Sequence, residues 1–522
     1  MSVLNTLSFL QQQKSPTYLA DIVRGIEKEN LRVTPEGKIA QTDHPESLGS
    51  ALTHPSITTD FSESLLEMVT PPVKGIPKLM QELSELQAVI YRQLDQELLW
   101  PASMPPWVDR QEEIRLAYYG TSNSGTLKHI YRRGLSYRYG RIMQAIAGIH
   151  YNISFPDVLF QQLQQQVKNT QPLTQFRSNR YLGTIRSYFR HYWLLAYLFG
   201  ASPVCMKSSV KGEVPEFLSE VNAKTLVGQY ATCLRMSRLG YQNAAQSQLK
   251  IQFNDLDTYA DSLLAATQSP HAPFSEIGVH VDGEQRQLSD SILQIENEYY
   301  SPIRPKQIVE RCERPATALK ARGVAYLEVR VLDLNPLLPL GIDQTQMAFM
   351  DVFMMYCLLL PQEEICFDRC HNAWNNFALV ATEGRKPGLM LQNDCEAMAM
   401  QEWAASIFTE LLKIAQWMDQ GVSEHYHHQA VLAQQKKLSD VALTPSAQVL
   451  AQLPAHHNDY TELCLNLANR QKKAALAIPL PHEQLARYQQ LAKESWVEQC
   501  TLEANDTISF ETYLKKYLEG CK

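Results

Sequence analysis

Residues 25–32 read Gly25-Ile26-Glu27-Lys28-Glu29-Asn30-Leu31-Arg32, and what this stretch becomes decides the fold. It lies in a run from Asp21 to Val33 that reads as a β-strand, stopped by the turn signal Pro35-Glu36-Gly37. On a strand alternate side chains share a face, so Glu27 and Glu29 project together, about 7 Å apart. Carboxylates that close repel one another unless a proton or a divalent cation lies between them. Alone, such a pair is more often a solvated sheet edge than a metal site, so its partners decide.

Residues 60–70 are apolar enough for a second strand, closed by Pro71-Pro72. A long amphipathic helix follows, with Leu79, Leu83, Leu86, Ile90 and Leu94 at helical spacing, and residues 126–139 read as another helix. Further strands are expected at 148–155 (GIHYNISF), 291–300 (SILQIENEYY) and 324–332 (VAYLEVRVL). Residues 1–20 read as a short helix and linker. Beyond about residue 345 the pattern is mainly helical, strongest at 399–418 and 482–498. Strands early and helices late is an α+β order, not a βαβα alternation.

These strands share a polar face of unusual composition. Tyr326, Glu328 and Arg330 alternate with Leu327, Val329 and Val331; His150, Asn152 and Ser154 alternate with Ile149, Tyr151, Ile153 and Phe155. In 291–300, Gln294, Glu296 and Glu298 alternate with Leu293 and Ile295. An antiparallel sheet with one face in water is the commoner situation. Such faces usually carry Lys, Thr and Ser, whereas these carry groups that bind metals and phosphates, which favours a concave funnel. Partners for Glu27 and Glu29 are then Asp60, Glu67, His150 and Glu328. Asp60 and Glu67 differ by an odd number, so Asp60 has to sit on a loop or bend for both to act together. A lone histidine such as His150 is more often a satisfied, partly buried side chain than a ligand. Arg330 shares a face with Glu328, setting a phosphate-binding guanidinium beside a cation-binding acid.

Composition narrows the function by exclusion. The chain has 522 residues, 48 Lys+Arg and 55 Asp+Glu, for a formal charge of −7. A mildly acidic chain lacks the basic footprint of sequence-independent nucleic-acid binding. Glycine is scarce, 22 of 522, and neither a Walker-type nor a G-x-G-x-x-G loop occurs. Bound anions must therefore be met by arginines or by cations. Ten cysteines without a paired framework read as reduced thiols. The N-terminus lacks the pattern of a secretory signal, and the longest apolar stretches, Val352 to Leu360 and Tyr192 to Ala201, are too short to span a membrane. The expected location is cytoplasmic.

G-I-E-x-E-x-L-R, followed by HPESLGSALTHPSITTDFSESLLEMVTPP, resembles the proteobacterial-type glutamate–cysteine ligases (gamma-glutamylcysteine synthetases), which open glutathione synthesis. Blocks at 100–105 (WPASMP), 119–125 (YGTSNSG), 131–140 (YRRGLSYRYG) and 197–203 (YLFGASP) match in the same order. So do 234–243 (LRMSRLGYQN), 294–306 (QIENEYYSPIRPK), 326–336 (YLEVRVLDLNP) and 383–389 (EGRKPGL). The likeness runs from about residue 20 to about 390.

The resemblance implies a glutamine-synthetase-like antiparallel funnel surrounded by helices. It suggests a catalytic α+β core over 1–390, with a helical region, 391–522, packed on it rather than independent. It implies that ATP phosphorylates the γ-carboxylate of glutamate and that the amine of cysteine displaces phosphate, giving γ-glutamylcysteine and ADP. It places Mg²⁺, or Mn²⁺ in its stead, on Glu27, Glu29, Asp60, Glu67, His150 and Glu328. Arg132, Arg235 and Arg330 are the choices for anion contacts, Arg132 and Arg330 for the nucleotide; which meets phosphate and which the glutamate carboxylate stays open. The cysteine pocket is similar to the family's at Tyr131, Leu135, Gln144, Tyr241 and Tyr300. Glutathione feedback and a monomeric state are implied by the resemblance alone. The rival readings are a ligase with another amine acceptor and a divalent-metal hydrolase that needs no ATP.

Three features are set aside. Cys366-x₃-Cys370-His371 lacks a second pair for a tetrahedral metal site. His425, His427 and His428 read as a surface histidine patch, and Met354, Met355 and Leu358–Leu360 as part of a buried helix.

Overall fold

The computed structural model describes residues 2–13, 15–237, 239, 246, 249, 251–310, 312–364, 367–394, 396–422 and 424–520. Glu27 and Glu29 do lie on a strand, β1 (Val23–Val33), at the centre of an eight-stranded antiparallel sheet. Its other strands are β2 (Ile57–Thr59), β3 (Leu65–Val69), β4 (Val73–Lys74), β5 (Leu98–Leu99), β6 (Ile149–Ser154), β7 (Ile303–Lys306) and β8 (Tyr326–Leu332). The order is β7-β8-β6-β1-β3-β2, with β4 and β5 also paired to β1.

Helices used below are α1 (Val3–Gln11), α2 (Ile76–Gln93), α3 (Asn123–Tyr139), α4 (Leu173–His191) and α5 (Trp193–Phe199). They continue with α6 (Gln344–Leu359), α7 (Phe367–Glu383), α8 (Met400–Asp419) and α9 (Tyr426–Ser439). The last three are α10 (Tyr460–Ala477), α11 (His482–Asn505) and α12 (Phe510–Glu519). The expected helix through Leu79–Ile90 and those at 126–139, 399–418 and 482–498 are all present, and the antiparallel α+β architecture is borne out.

Strand register separates the two faces of the sheet. Glu27 is paired with His150, Glu29 with Glu67, Asn152 with both Gly25 and Glu328, and Arg304 with Glu328. Paired residues project to the same side, so one face gathers the polar groups. The other carries Ile26, Tyr151, Ile153, Leu327, Val329, Leu66 and Met68, all buried. That apolar face packs on α2, α4 and α5, with α6 behind them. α6, which holds Met354 and Met355, is buried along almost its whole length, as expected. α8 and α9 pack on or beside α6, and α10 packs on α2, so one apolar core runs from Val3 to Tyr488. Among the described residues no helix is long and apolar enough to cross a membrane.

Three sequence expectations need correction. The strand starts at Val23, because Pro16–Asp21 form a 3₁₀ turn. The run 60–70 is bent: β2 ends at Thr59, a turn follows, and β3 begins at Leu65. The expected strand 291–300 does not form. Its alternating polar side chains are turned inward to satisfy backbone donors: Gln294 Oε1 accepts from Leu288 N at 3.0 Å, and Glu298 Oε2 from Gln294 N at 2.7 Å. Glu296–Glu298 close a 3₁₀ turn, and Glu298 is paired with Arg138 at 2.9 Å, both side chains inaccessible. The sheet strand of this region is β7, further along the chain.

Candidate active site

Alternation on β1 aims Glu27 and Glu29 to one face, and the neighbouring strands complete an acidic group around them. His150 Nδ1 lies 3.0 Å from Glu27 Oε2 and 3.9 Å from Glu328 Oε1, and His150 Nε2 lies 3.8 Å from Glu29 Oε1. One ligand atom from each of Glu27, His150 and Glu328 falls within 4.8 Å of the others. Glu67 stands opposite Glu29 in the β1–β3 pair. Asp60 sits on the bend after β2, as its spacing from Glu67 requires. Arg132 of α3 holds it there, with Nη2 3.6 Å from Asp60 Oδ1 and Nε donating to the Asp60 carbonyl. The six acidic and histidine positions are thus brought to one face.

The electrostatics differ sharply between the two ends of this group. Burial would raise the Glu328 carboxyl, but Lys306, Arg330 and His150 outweigh it and hold the group well below the usual carboxylate range. Lys306 Nζ is 3.4 Å and Arg330 Nη1 3.2 Å from Glu328. Glu67 has little such relief, from Arg132 alone. Burial, and then the charges of Glu27, Asp60 and Glu29, push its carboxyl well above the ordinary value. Glu29 is likewise raised, first by burial. Among the described residues Glu67 makes no ion pair. Carboxylates left facing one another at this spacing suit a hard divalent cation, which takes oxygen ligands and neutralises them.

Arg235 is buried and its Nη2 donates to the Arg330 carbonyl at 3.0 Å. It is laid over Gly148: a Cβ built at Gly148 would lie 2.1 Å from Arg235 Nη2. Gly148 in turn exchanges two hydrogen bonds with Glu29, its N–H donating to Oε2 at 2.8 Å and its carbonyl accepting from Glu29 N at 3.0 Å. Only a residue without a side chain allows the guanidinium so close to the acid pair.

Of the expected cysteine pocket, Tyr131 and Leu135 lie one turn apart on α3 and Gln144 ends the short helix Arg141–Gln144 before β6. Tyr300 donates its hydroxyl to Met236 Sδ at 2.9 Å, and burial pushes that hydroxyl up to about 12. Tyr131 packs against the Leu127–Ile130–Ile295 cluster, and its carbonyl accepts from Gln294 Nε2 at 3.2 Å. Tyr241 lies outside the described residues, as does Cys366. The histidine patch is corrected: His425 is exposed, but His427 is 1% exposed and lies between Asp419 and Asp351 on the far side of the sheet.

Three polar groups on this face were not singled out from sequence. Asn152 Nδ2 donates to Glu27 Oε1 at 2.8 Å; the period-2 pattern puts it on the polar face with His150 but gives it no role. Arg304 and Lys306 face Glu328 from β7. They alternate with Ile303 and Pro305, a signal hidden by assigning the strand to 291–300 instead.

Comparison with known proteins gives this constellation a context. The sequence profile described as "Glutamate-cysteine ligase" matches residues 7–380. The chain is 44% identical to a glutamate–cysteine ligase of Pseudomonas fluorescens over 511 residues, 98% of this chain and 96% of the relative. It is 43% identical to that of Hahella chejuensis, covering 97% of each. A crystal structure of the Francisella tularensis glutamate–cysteine ligase in complex with AMP superposes with a TM-score of 0.90 at 40% identity, over 95% of this chain and 97% of that one. A bifunctional glutathione synthetase from Pasteurella multocida, TM-score 0.71 and 24% identical, covers 92% of this chain and 57% of that one, and shares the fold. Profile, full-length identity and superposition agree with the order of the matched blocks, and on that agreement the chain belongs to the glutamate–cysteine ligase family.

Proposed function

We propose that the acidic face of the sheet is the cation-binding centre of an ATP-dependent ligase joining the γ-carboxylate of L-glutamate to the amine of L-cysteine. The observation that carries the site assignment is the convergence of Glu27, His150 and Glu328 within 4.8 Å, with Glu29 and Glu67 opposed on neighbouring strands beside them. A carboxylate is a poor acylating agent; phosphorylation gives it a leaving group, and the amine then displaces phosphate from the γ-glutamyl phosphate. Moving a phosphoryl group between two anions requires charge to be neutralised where it develops. Mg²⁺ or Mn²⁺ held by these residues would supply that neutralisation.

The chain's own residues do the rest. Glu27, Glu29, Asp60, Glu67, His150 and Glu328 hold the cations. Asn152 fixes the rotamer of Glu27. Arg330 and Lys306, each beside Glu328, meet phosphate oxygens at the same edge. Arg132, braced on Asp60 and stacked 4.6 Å over the Tyr119 ring, and Arg235, seated on Gly148, are available to a second anion, the glutamate carboxylate. Tyr131, Leu135, Gln144, Tyr241 and Tyr300 form the cysteine subsite, aromatic walls suiting a small thiol side chain. Glutathione feedback, a monomeric state, a cytoplasmic location and a division near residue 390 belong to the same proposal.

The test is ADP formation measured with each substrate omitted. Turnover is expected only with ATP, glutamate and cysteine together. Equal rates with alanine or 2-aminobutyrate in place of cysteine would overturn the acceptor assignment, and metal-dependent hydrolysis without ATP would overturn the ligase. For Arg235, the Cβ of Gly148→Ala should push the guanidinium aside and lower kcat/KM by about 10–100-fold, the cost of one or two charge-assisted hydrogen bonds. Arg235→Ala should give a similar loss, and the double variant little more, since both remove one interaction. Additive losses would show that Gly148 acts through something else.

A further inference from the structure

Residues 495–519 pack against α3 and against the segment that leads to Asp60. Three of their polar groups converge on the first turn of α3: Glu503 Oε1 accepts from Thr121 N at 2.8 Å, Asp506 Oδ2 accepts from Asn123 N, and the Ile508 carbonyl accepts from Asn123 Nδ2 at 3.1 Å. Two carboxylates at a helix N-terminus satisfy orphan N–H groups and oppose the positive end of the helix dipole. The approach is close: a Cβ at Gly120 would meet Gln499 and Glu503 at 2.2 and 2.3 Å. Upstream, Ser495 of α11 binds the segment leading to Asp60, its Oγ accepting from Ser50 N at 2.9 Å and its carbonyl from Thr53 Oγ1 at 2.6 Å.

α12 then enters as a wedge. Leu514 is buried in a small apolar cluster with Leu127 and Ile130 of α3 and Leu288 and Ile295 of the loop before β7. Phe510, Tyr513, Tyr517 and Leu518 pack around it, and so does Tyr131. Arg314 ties the far end, donating from Nη1 to the Leu518 carbonyl at 2.6 Å and from Nε to Glu296 Oε1 at 2.9 Å. One side of the wedge is therefore the helix that carries Tyr131 and Leu135. The other is the loop that leads to Tyr300.

We propose that residues 495–519 are a positioning strap that sets the spacing of the cysteine subsite, with Asp506 and Leu514 acting through α3. This rests on the assignment of Tyr131 and Tyr300 to that subsite. Arg330, Lys306 and Glu328 stand on β7 and β8, and none of the strap's hydrogen bonds named above reaches them, so its loosening should act on α3 and not on the phosphate-binding edge. Arg132, also on α3, is the residue assigned above to the glutamate carboxylate, so KM for glutamate should move with KM for cysteine.

The experiment uses the full-length enzyme and compares Asp506→Ala, Asp506→Glu, Leu514→Ala and Tyr131→Ala. Asp506→Ala and Leu514→Ala are expected to raise KM for cysteine by about 5–10-fold, the scale of one lost helix cap, with KM for ATP changed less than about twofold. Asp506→Glu should recover most of the loss, and amide exchange in the first turn of α3 should quicken in the alanine variants. If Tyr131→Ala raises KM for cysteine while neither strap variant does, the strap is overturned. It is equally overturned if the strap variants raise KM for ATP and cysteine alike or lower kcat alone, as a general loss of stability would. If Tyr131→Ala leaves KM for cysteine unchanged, the subsite assignment itself fails. Should Asp506→Ala not fold, Leu514→Ala and the exchange of α3 amides read the same contact.

Discussion

Glu67→Gln is expected to lower kcat by at least about 10²–10³-fold while leaving the metal-free protein as stable as the parent, or more so. The two halves of this expectation have one cause. Glu67 faces Glu29 directly across the β1–β3 pair, with Glu27 and Asp60 near, and burial together with those charges raises its carboxyl. Like charges opposed across strands destabilise by a few tenths to about 1 kcal/mol. An amide of the same shape removes that repulsion and also the ligand. The parent should gain thermal stability as Mg²⁺ is added, by ordinary linkage, and the variant should gain much less. Thermal midpoints with and without Mg²⁺, read beside ADP formation, check both. Near-normal turnover at saturating Mg²⁺, or a metal-free midpoint well below the parent's, would remove Glu67 from the centre.

Glu328→Gln should inactivate as fully but not as silently. Its carboxylate is the buried counter-charge of Lys306 and Arg330, so neutralising it strands two cations. Breaking a buried pair from one side costs on the order of 3–5 kcal/mol. Two acids in one centre thus separate catalytic from structural roles, and the separation comes from what stands on the next strand.

The face of each ligand was legible in the sequence because period 2 is a local rule. Glu27 with Glu29, His150 with Asn152, and Glu328 with Arg330 all point where alternation says. Even the bend at Asp60 followed from an odd spacing. What could not be read was register. That Glu29 meets Glu67, whereas Glu328 meets Arg304, depends on which strands neighbour which. Segment 291–300 shows the limit of the local rule. Its alternation of Leu293 and Ile295 with Gln294, Glu296 and Glu298 is real, but those polar groups find backbone donors and arginines close by. Side chains able to hydrogen-bond their own backbone compete with strand pairing. The true strand, β7, carries two prolines' worth of apparent turn signal around it, Pro302 and Pro305, and near the sheet's edge a missing N–H is tolerated.

His427 shows the same limit on the opposite face, and it leads to a stability effect as large as that of Glu328→Gln. Asp351 of α6 is inaccessible and accepts from Arg24 Nε and Nη2 and, at 2.7 Å, from the Tyr151 hydroxyl. His427 Nε2 lies 3.6 Å away, and its Nδ1 is 2.9 Å from Asp419. Arg24 is on β1 and Tyr151 on β6, so this network bolts α6, α8 and α9 to the back of the strands that carry Glu27, Glu29 and His150. Asp351→Ala should cost about 3–5 kcal/mol, because it leaves the Arg24 guanidinium and a tyrosine hydroxyl buried without their acceptor. Replacing both Arg24 and Asp351 by apolar residues should recover most of it, since the penalty comes from the charge left behind.

His427 adds a pH signature. Burial would lower it, but Asp351 and Asp419 outweigh that and raise it, while both acids are held below their ordinary value. A raised histidine contributes stability fully below its unfolded value, near 6.5, and loses it as pH rises through the folded value. The depressed acids contribute above about 4 and lose it as pH falls through their folded values. The stability gap between the parent and His427→Gln should therefore be widest between about pH 4 and 6.5 and close toward alkaline pH. Thermal midpoints across pH 4–9 check this. A gap that widens with rising pH would mean that His427 is buried neutral and that Asp351 answers to Arg24 alone.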